Sequence, residues 1–160
     1  MSVHTGWAAC VVVEGSAKKP VIVANQVIDI LDDAHRFCFH MAAEMPRKKA
    51  EAFLATTRKQ ALANAKRTLS PLLAHKPRAC AIVAKPGDPG ELDEIFASHP
   101  RWHAAEGCFY RDVLREACSL PTELVPPATL DVTKVGKLAT KPWSRDQKLA
   151  ALAAWRVLDD

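Results

Sequence analysis

Residues 77–85 read PRACAIVAK and contain six consecutive apolar residues, from Ala79 to Ala84. A continuous apolar run of this length is typical of a strand that is buried on both faces, as in parallel sheets flanked by helices. Helical patterns lie on both sides of it in the chain. The stretch therefore predicts an α/β protein in which helices cover both sides of this strand.

The segment before this strand predicts a long helix that begins near Pro46, a residue suited to a first helical turn. Its apolar side chains fall within one broad arc at 100° per residue. They are Phe53, Leu54, Ala61, Leu62, Ala65, Leu69 and Leu72. Pro71 is expected to bend or end the helix.

The segment after the strand predicts three more helices and one more strand. A short helix is expected over residues 91–99. A long helix runs from Pro100 to about Ser119, with Ser98 or His99 as its cap. A short strand over 122–126 and a mixed stretch over 128–143 follow, and Ser144 caps a final helix over 144–158.

Three strand-like runs open the chain, at residues 4–13, 20–30 and 35–41. Short connections between them favour an antiparallel meander. In the third run, alternation would put His35 and His40 on opposite faces, so that they make no common site. The order βββαβαβα predicts a mixed five-stranded sheet with helices on its faces. Right-handed crossovers would place the last two strands parallel, beside the meander.

Length and composition indicate one folded domain over residues 1–160, with 49% hydrophobic and 25% charged residues. The N-terminus lacks the pattern of a secretory signal, and no stretch approaches the roughly 18 apolar residues of a membrane span. The five cysteines form no CxxC pair. We therefore expect a cytoplasmic, reduced protein that does not enter membranes.

The positive charge of the chain is concentrated in the first long helix. Residues 45–75 hold seven Lys and Arg against one acid, Glu51, in a chain whose net charge is +4. Lys48, Lys59 and Lys66 fall almost on one line outside the apolar arc, and Lys49 and Arg67 lie beside it. These five residues could neutralise a phosphate backbone, since bound cations release counterions. The alternative is a solvated helix face.

The stretch HPRWHAAEGCFYRD, residues 99–112, concentrates polar side chains. His99, His103 and Glu106 are spaced to share one helix face and could ligate zinc or iron. If His99 is the cap, the group reduces to His103 and Glu106. The alternative is a packed helix start with a polar face. Gly107 in mid-helix suggests the close approach of another backbone.

The element order resembles the ribonuclease H-like fold, which includes bacterial Holliday-junction resolvases. Two fragments carry the resemblance in sequence. His4-Thr5-Gly6-Trp7-Ala8-Ala9-Cys10 is similar to a resolvase first strand that begins with Thr-Gly-aromatic. TELVPPATL, followed later by Asp146-Gln147-Lys148, is similar to the resolvase ending. HAAEGCFYRD and PWSRDQKLAALAAW also resemble a set of bacterial hypothetical proteins.

The resemblance implies a carboxylate cluster that holds two divalent metal ions, Mg²⁺ or Mn²⁺. Three residues match positions of this carboxylate cluster. Glu44 matches the carboxylate after the third strand, Asp88 matches the carboxylate after the fourth strand, and Asp146 matches the carboxylate on the last helix. The place on the first strand has no acid, and His4 is the nearest polar side chain.

The leading hypothesis is a nucleic-acid-binding ribonuclease H-like protein that contacts nucleic acid through its basic helix. As a nuclease it would hold the metal ions with Glu44, Asp88 and Asp146, with Glu106 or His103 as auxiliary groups, and a metal-activated water would attack phosphate. The alternative is a non-catalytic module that binds a protein partner or forms a homodimer. The missing strand-one acid motivates this alternative.

Overall fold

The computed structural model describes residues 1–137 and 143–158, without the side chains of residues 136 and 137. Part of the mixed stretch 128–143 therefore lies outside the described residues. The strands are β1 (Ser2–His4), β2 (Trp7–Ser16), β3 (Lys19–Asp29), β4 (Cys80–Val83) and β5 (Thr122–Val125). The helices are α1 (Cys38–Ala43), α2 (Arg47–Leu73), α3 (Leu92–Phe96), α4 (His99–Cys118) and α5 (Arg145–Arg156). Two 3₁₀ turns cover Pro127–Thr129 and Val132–Lys137.

The five strands form one mixed sheet in the order β3-β2-β1-β4-β5. β1, β2 and β3 pair antiparallel, whereas β4 pairs parallel with β1, and β5 pairs parallel with β4. The predicted α/β class, the mixed five-stranded sheet and the parallel placement of the last two strands are confirmed. Because β1 and β4 run in the same direction, His4 and the chain after Val83 lie at the same edge of the sheet.

The buried run that indicated the fold packs as expected, because all four residues of β4 are buried. Cys80 and Ile82 join the core between the sheet and helices α2 and α4. Ala81 and Val83 face the other way, against Leu149 and Ala153 of α5. The side-chain period of two therefore sends alternate residues of one strand into two separate helical layers.

The first three strands form the predicted antiparallel meander, but the residues predicted for two of these strands are wrong. The run 4–13 is two strands, because Thr5 and Gly6 turn the chain and His4 pairs directly with Trp7. Gly6 adopts a φ of +87°, a conformation that glycine reaches without steric cost. The Gly6 carbonyl then accepts bonds from the N–H groups of Ile30 and Leu31, at 2.8 and 3.1 Å.

The predicted third strand over residues 35–41 is also wrong, since this segment leads into helix α1. Its buried residues are Cys38, Phe39 and Ala42, which is the spacing of a helix face. Cys38 and Phe39 pack with Ile95 and Ala105 from α3 and α4. A short apolar segment of this kind fits a strand or a helix equally well, and the tertiary contacts select the helix.

The other helices begin and end close to the predicted residues. α2 continues to Leu73 and includes Pro71 in its last turn. Ser98 is the N-cap residue of α4, and Ser144 caps α5 through a reciprocal capping box with Gln147. None of the described helices combines the length and hydropathy needed to cross a membrane.

Candidate functional sites

The basic face of α2 comprises Lys48, Lys49, Lys59, Lys66 and Arg67. All five residues are exposed. Within the described residues, none of them has a carboxylate oxygen within 4.0 Å. The structure thus places the five predicted cations on the surface without an ion-pair partner among the described residues.

Two other arginines of α2 differ from the basic face. Arg47 pairs with Glu51 and Asp93, and Arg58 pairs with Glu116 of α4 at 2.6 Å. The Glu51 carboxylate raises the pKa of Arg47, because its hydrogen bond favours the charged guanidinium. The cations of α2 without an ion pair are therefore the five residues of its basic face.

A second polar group, the edge cluster, lies where β1 ends and α5 begins. Asp146 Oδ1 accepts a bond from Ser2 Oγ at 3.1 Å and lies 2.7 Å from His4 Nε2. The His4 ring stacks on Trp7, with centroids 4.3 Å apart and planes 8° from parallel. Asp146 lies in the first turn of α5, where the helix dipole favours a carboxylate.

The order in which the three side chains of the edge cluster contact one another decides what the cluster can do chemically. In a Ser-His-Asp triad, the histidine lies between the hydroxyl and the carboxylate and takes the hydroxyl proton. Here the carboxylate of Asp146 lies between Ser2 and His4. The cluster therefore fixes the N-terminus of α5 to β1 and does not form a nucleophilic triad.

The other two predicted metal ligands form no hydrogen bond or ion pair with the edge cluster among the described residues. Asp88 Oδ1 accepts the backbone N–H of Gly90 at 2.9 Å, within its own loop. Glu44 is exposed at the C-terminal end of α1. Among the described residues, Glu44, Asp88 and Asp146 do not form a group whose ligand atoms lie within 4.8 Å of one another. Their carboxylate oxygens therefore do not converge on one point in this structure, and the Mg²⁺ or Mn²⁺ site stays a prediction.

A third polar group, the histidine cluster, comprises His40 of α1 and His99 and His103 of α4. One ligand nitrogen from each residue lies within 4.8 Å of the other two. His40 Nε2 and His99 Nε2 are 3.2 Å apart. The side chain of His40 is half-buried, and His99 and His103 are exposed. No other group of three His, Cys, Asp or Glu residues is as compact in the part of the chain that the structure describes.

Glu106 supports the histidine cluster from inside the protein, where it is fully buried. Its Oε1 lies 2.8 Å from His40 Nδ1, and its Oε2 lies 4.0 Å from His103 Nδ1. Oε2 has no hydrogen-bond partner. Burial raises the pKa of the Cys38 thiol to about 12, and the Glu106 carboxylate adds to this shift. Burial and the same carboxylate also raise the pKa of Tyr110.

Sequence reasoning missed His40, because the predicted strand placed it alone on one face. The predicted His99, His103 and Glu106 do converge, with Glu106 behind the imidazoles rather than beside them. The structural role predicted for Gly107 is wrong, since a Cβ atom there would have no neighbour within 4 Å. The helical spacing of the buried Cys38 and Ala42 is the signal that could have placed His40 on a helix.

The chain matches no protein-family model and no curated protein sequence. Its fold is similar to that of T. thermophilus RuvC in a solved structure of that protein in complex with Holliday junction substrate. The TM-score is 0.58 at 11% sequence identity, and the match covers 96% of this chain and 87% of that chain. The predicted fold is therefore confirmed: this chain adopts the ribonuclease H-like fold.

Proposed function

We propose that the protein binds nucleic acid through the basic face of α2. The observation that carries this proposal is the presence of five exposed cations without carboxylate partners along one helix. Lys48 and Lys66 are five helical turns apart, which is roughly 27 Å at 1.5 Å per residue. A duplex strand presents about eight phosphates over that length, at about 3.4 Å each.

The fold supports the same proposal by analogy. The similar RuvC structure contains Holliday junction substrate, so a branched DNA is the first ligand to test. Fold likeness does not transfer function by itself, and the unpaired cations supply the physical reason for binding. A linear duplex and an RNA–DNA hybrid of equal length distinguish branch recognition from general phosphate binding.

Fluorescence anisotropy with labelled nucleic acids tests this proposal directly. We expect binding of the four-way junction at low salt and a steep loss of affinity as salt rises. Absence of binding to all three nucleic acids at 50 mM salt and micromolar protein would refute the proposal.

Phosphodiester cleavage is a separate question. The nuclease hypothesis requires Glu44, Asp88 and Asp146 to share metal ions, with Glu106 or His103 as auxiliary groups. The bonds of Asp146 to Ser2 and His4 favour binding without cleavage at this edge. A cleavage assay on the junction in Mg²⁺ and in Mn²⁺ checks this, and the expected result is intact substrate. Cleavage that is lost in an Asp146→Asn variant would restore the nuclease hypothesis.

Self-association is the second candidate function, and the outer strand β3 favours it. β3 is an outer strand of the sheet and carries two exposed valines, Val21 and Val27, at 56% and 54% exposure. An exposed edge strand offers unpaired backbone groups to a second copy. Sedimentation should then give the mass of a homodimer, and a Val27→Lys variant should sediment as a monomer. A monomeric wild-type mass at all concentrations would contradict this candidate.

A further inference from the structure

We propose that His40, His99 and His103 form a binding site for Zn²⁺, with Glu106 as the buried carboxylate that orients His40. This inference is independent of the nucleic-acid proposal, because none of these residues belongs to the basic face of α2. It also differs from the predicted Mg²⁺ or Mn²⁺ site, which relies on oxygen ligands from other residues.

The spacing of the imidazoles supports a tetrahedral ion. Zn²⁺ binds histidine nitrogen at about 2.0–2.1 Å, which places two nitrogens of a tetrahedral site roughly 3.3 Å apart. The observed distance between His40 Nε2 and His99 Nε2 is 3.2 Å. A cation between these two nitrogens therefore requires no change in their separation, and the His103 nitrogen lies within 4.8 Å of both.

Hydrogen bonding fixes the nitrogen of His40 that faces the ion. Nδ1 of His40 donates to Glu106 Oε1 at 2.8 Å, which leaves the lone pair of Nε2 directed toward His99. A carboxylate behind a ligand histidine is the usual outer partner of a zinc site, since it fixes the tautomer and strengthens the ligand. Glu106 thus performs this role without being a ligand itself.

The charge of Glu106 supplies a second argument for a bound cation. This carboxylate is fully buried, and its ion-pairing partners within the described residues are two histidines, His40 and His103. A buried carboxylate without a positive partner is costly. A divalent ion held by the same imidazoles offsets that cost through the His40 ring.

The environment also favours a transition metal over Mg²⁺. Three imidazoles are ligands suited to zinc and its neighbours, whereas Mg²⁺ prefers oxygen. Trp102 packs edge-on against both His40 and His99, with centroids 5.3 and 5.2 Å apart, and shields one side of the site. His99 and His103 are exposed, so the fourth position would be open to water or to an exogenous ligand.

The test uses the untagged 160-residue chain, stripped with a chelator and then titrated with ZnCl₂ against a competing chromophoric chelator. We expect one Zn²⁺ per chain, and no comparable binding of MgCl₂. Co²⁺ in place of Zn²⁺ should give the visible absorption of a tetrahedral site without a sulfur-to-metal band, because the histidine cluster contains no cysteine.

Variants decide whether the histidine cluster is the site. His99→Gln and His103→Gln change exposed side chains that would be ligands. Loss of a residue behind a ligand typically weakens metal binding about 10- to 100-fold, and each of these two changes should weaken Zn²⁺ binding by more than that. Glu106→Gln should weaken it by about 10- to 100-fold. His75→Gln, a change of an exposed histidine outside the cluster, is the matched control and should bind as the wild type does.

Two results would overturn this inference. One is the failure of the wild-type chain to bind Zn²⁺ at micromolar concentration. The other is unchanged affinity and stoichiometry in the His99→Gln/His103→Gln double variant, which remains informative even where Glu106→Gln fails to fold.

Discussion

The salt dependence of nucleic-acid binding is the sharpest test of the basic face. The perturbation is the triple variant Lys59→Gln/Lys66→Gln/Arg67→Gln, which removes three of the five cations from the exposed side of α2. None of the three side chains forms an ion pair with another described residue, so the variant should keep the thermal midpoint of the wild type.

The expected magnitude follows from the number of phosphates neutralised. With five cations engaged, log K should fall against log[salt] with a slope of about −4.5, so affinity drops roughly 500-fold between 50 and 200 mM salt. The triple variant retains two contacts. Its slope should be about −1.8, and the same change of salt should weaken its binding only about 12-fold.

Anisotropy titrations of a labelled duplex at several salt concentrations measure both slopes. The control Lys18→Gln/Lys19→Gln/Lys85→Gln removes the same charge from exposed lysines elsewhere in the chain and should keep the wild-type slope. Equal slopes for both triple variants would refute the reasoning, because binding would then depend on net charge and not on α2.

Three further predictions concern the free energy of unfolding and are checked by urea denaturation. A shift of the midpoint urea concentration at a constant m-value reports a change in that free energy. Gly107→Ala should stabilise the fold by about 1 kcal/mol, since the helical position is open and a Cβ there meets no atom within 4 Å; a destabilised variant would contradict this. Gly15→Ala should destabilise it by about 1–2 kcal/mol or more, because φ is +91° and the new methyl would overlap the Lys19 carbonyl oxygen; a neutral effect would show that the hairpin turn relaxes. Tyr110→Phe should cost about 1–2 kcal/mol, since the buried hydroxyl donates to the Arg36 carbonyl at 2.6 Å, and an unchanged midpoint would show that water replaces the bond.

Features that depend on short stretches of chain could be predicted from the sequence. The apolar run around Ile82 indicated a strand buried on both faces, and β4 is buried in that way. Ser144 indicated the start of the last helix, because its hydroxyl and the Gln147 side chain satisfy each other's backbone N–H groups. The cations of α2 follow the helical period and needed no knowledge of the rest of the fold.

The candidate sites could be predicted only in part, because their members come from distant segments. His40 is 59 residues from His99, and His4 is 142 residues from Asp146. The sequence placed His103 and Glu106 on one helix but could not tell that Glu106 points inward. A metal cluster of Glu44, Asp88 and Asp146 stays a prediction, since their ligand atoms do not form a group within 4.8 Å among the described residues.

The sequence by itself determined the α/β class, the buried parallel strand and the basic helix, because hydrophobic periodicity, capping and charge spacing act within a few residues. Only the tertiary structure decided that residues 35–41 lead into a helix rather than a strand. The apolar side chains Cys38 and Phe39 satisfy either pattern, and their burial against Ile95 and Ala105 selects one. That choice brings His40 beside His99, so packing between distant segments creates the site for which we propose zinc.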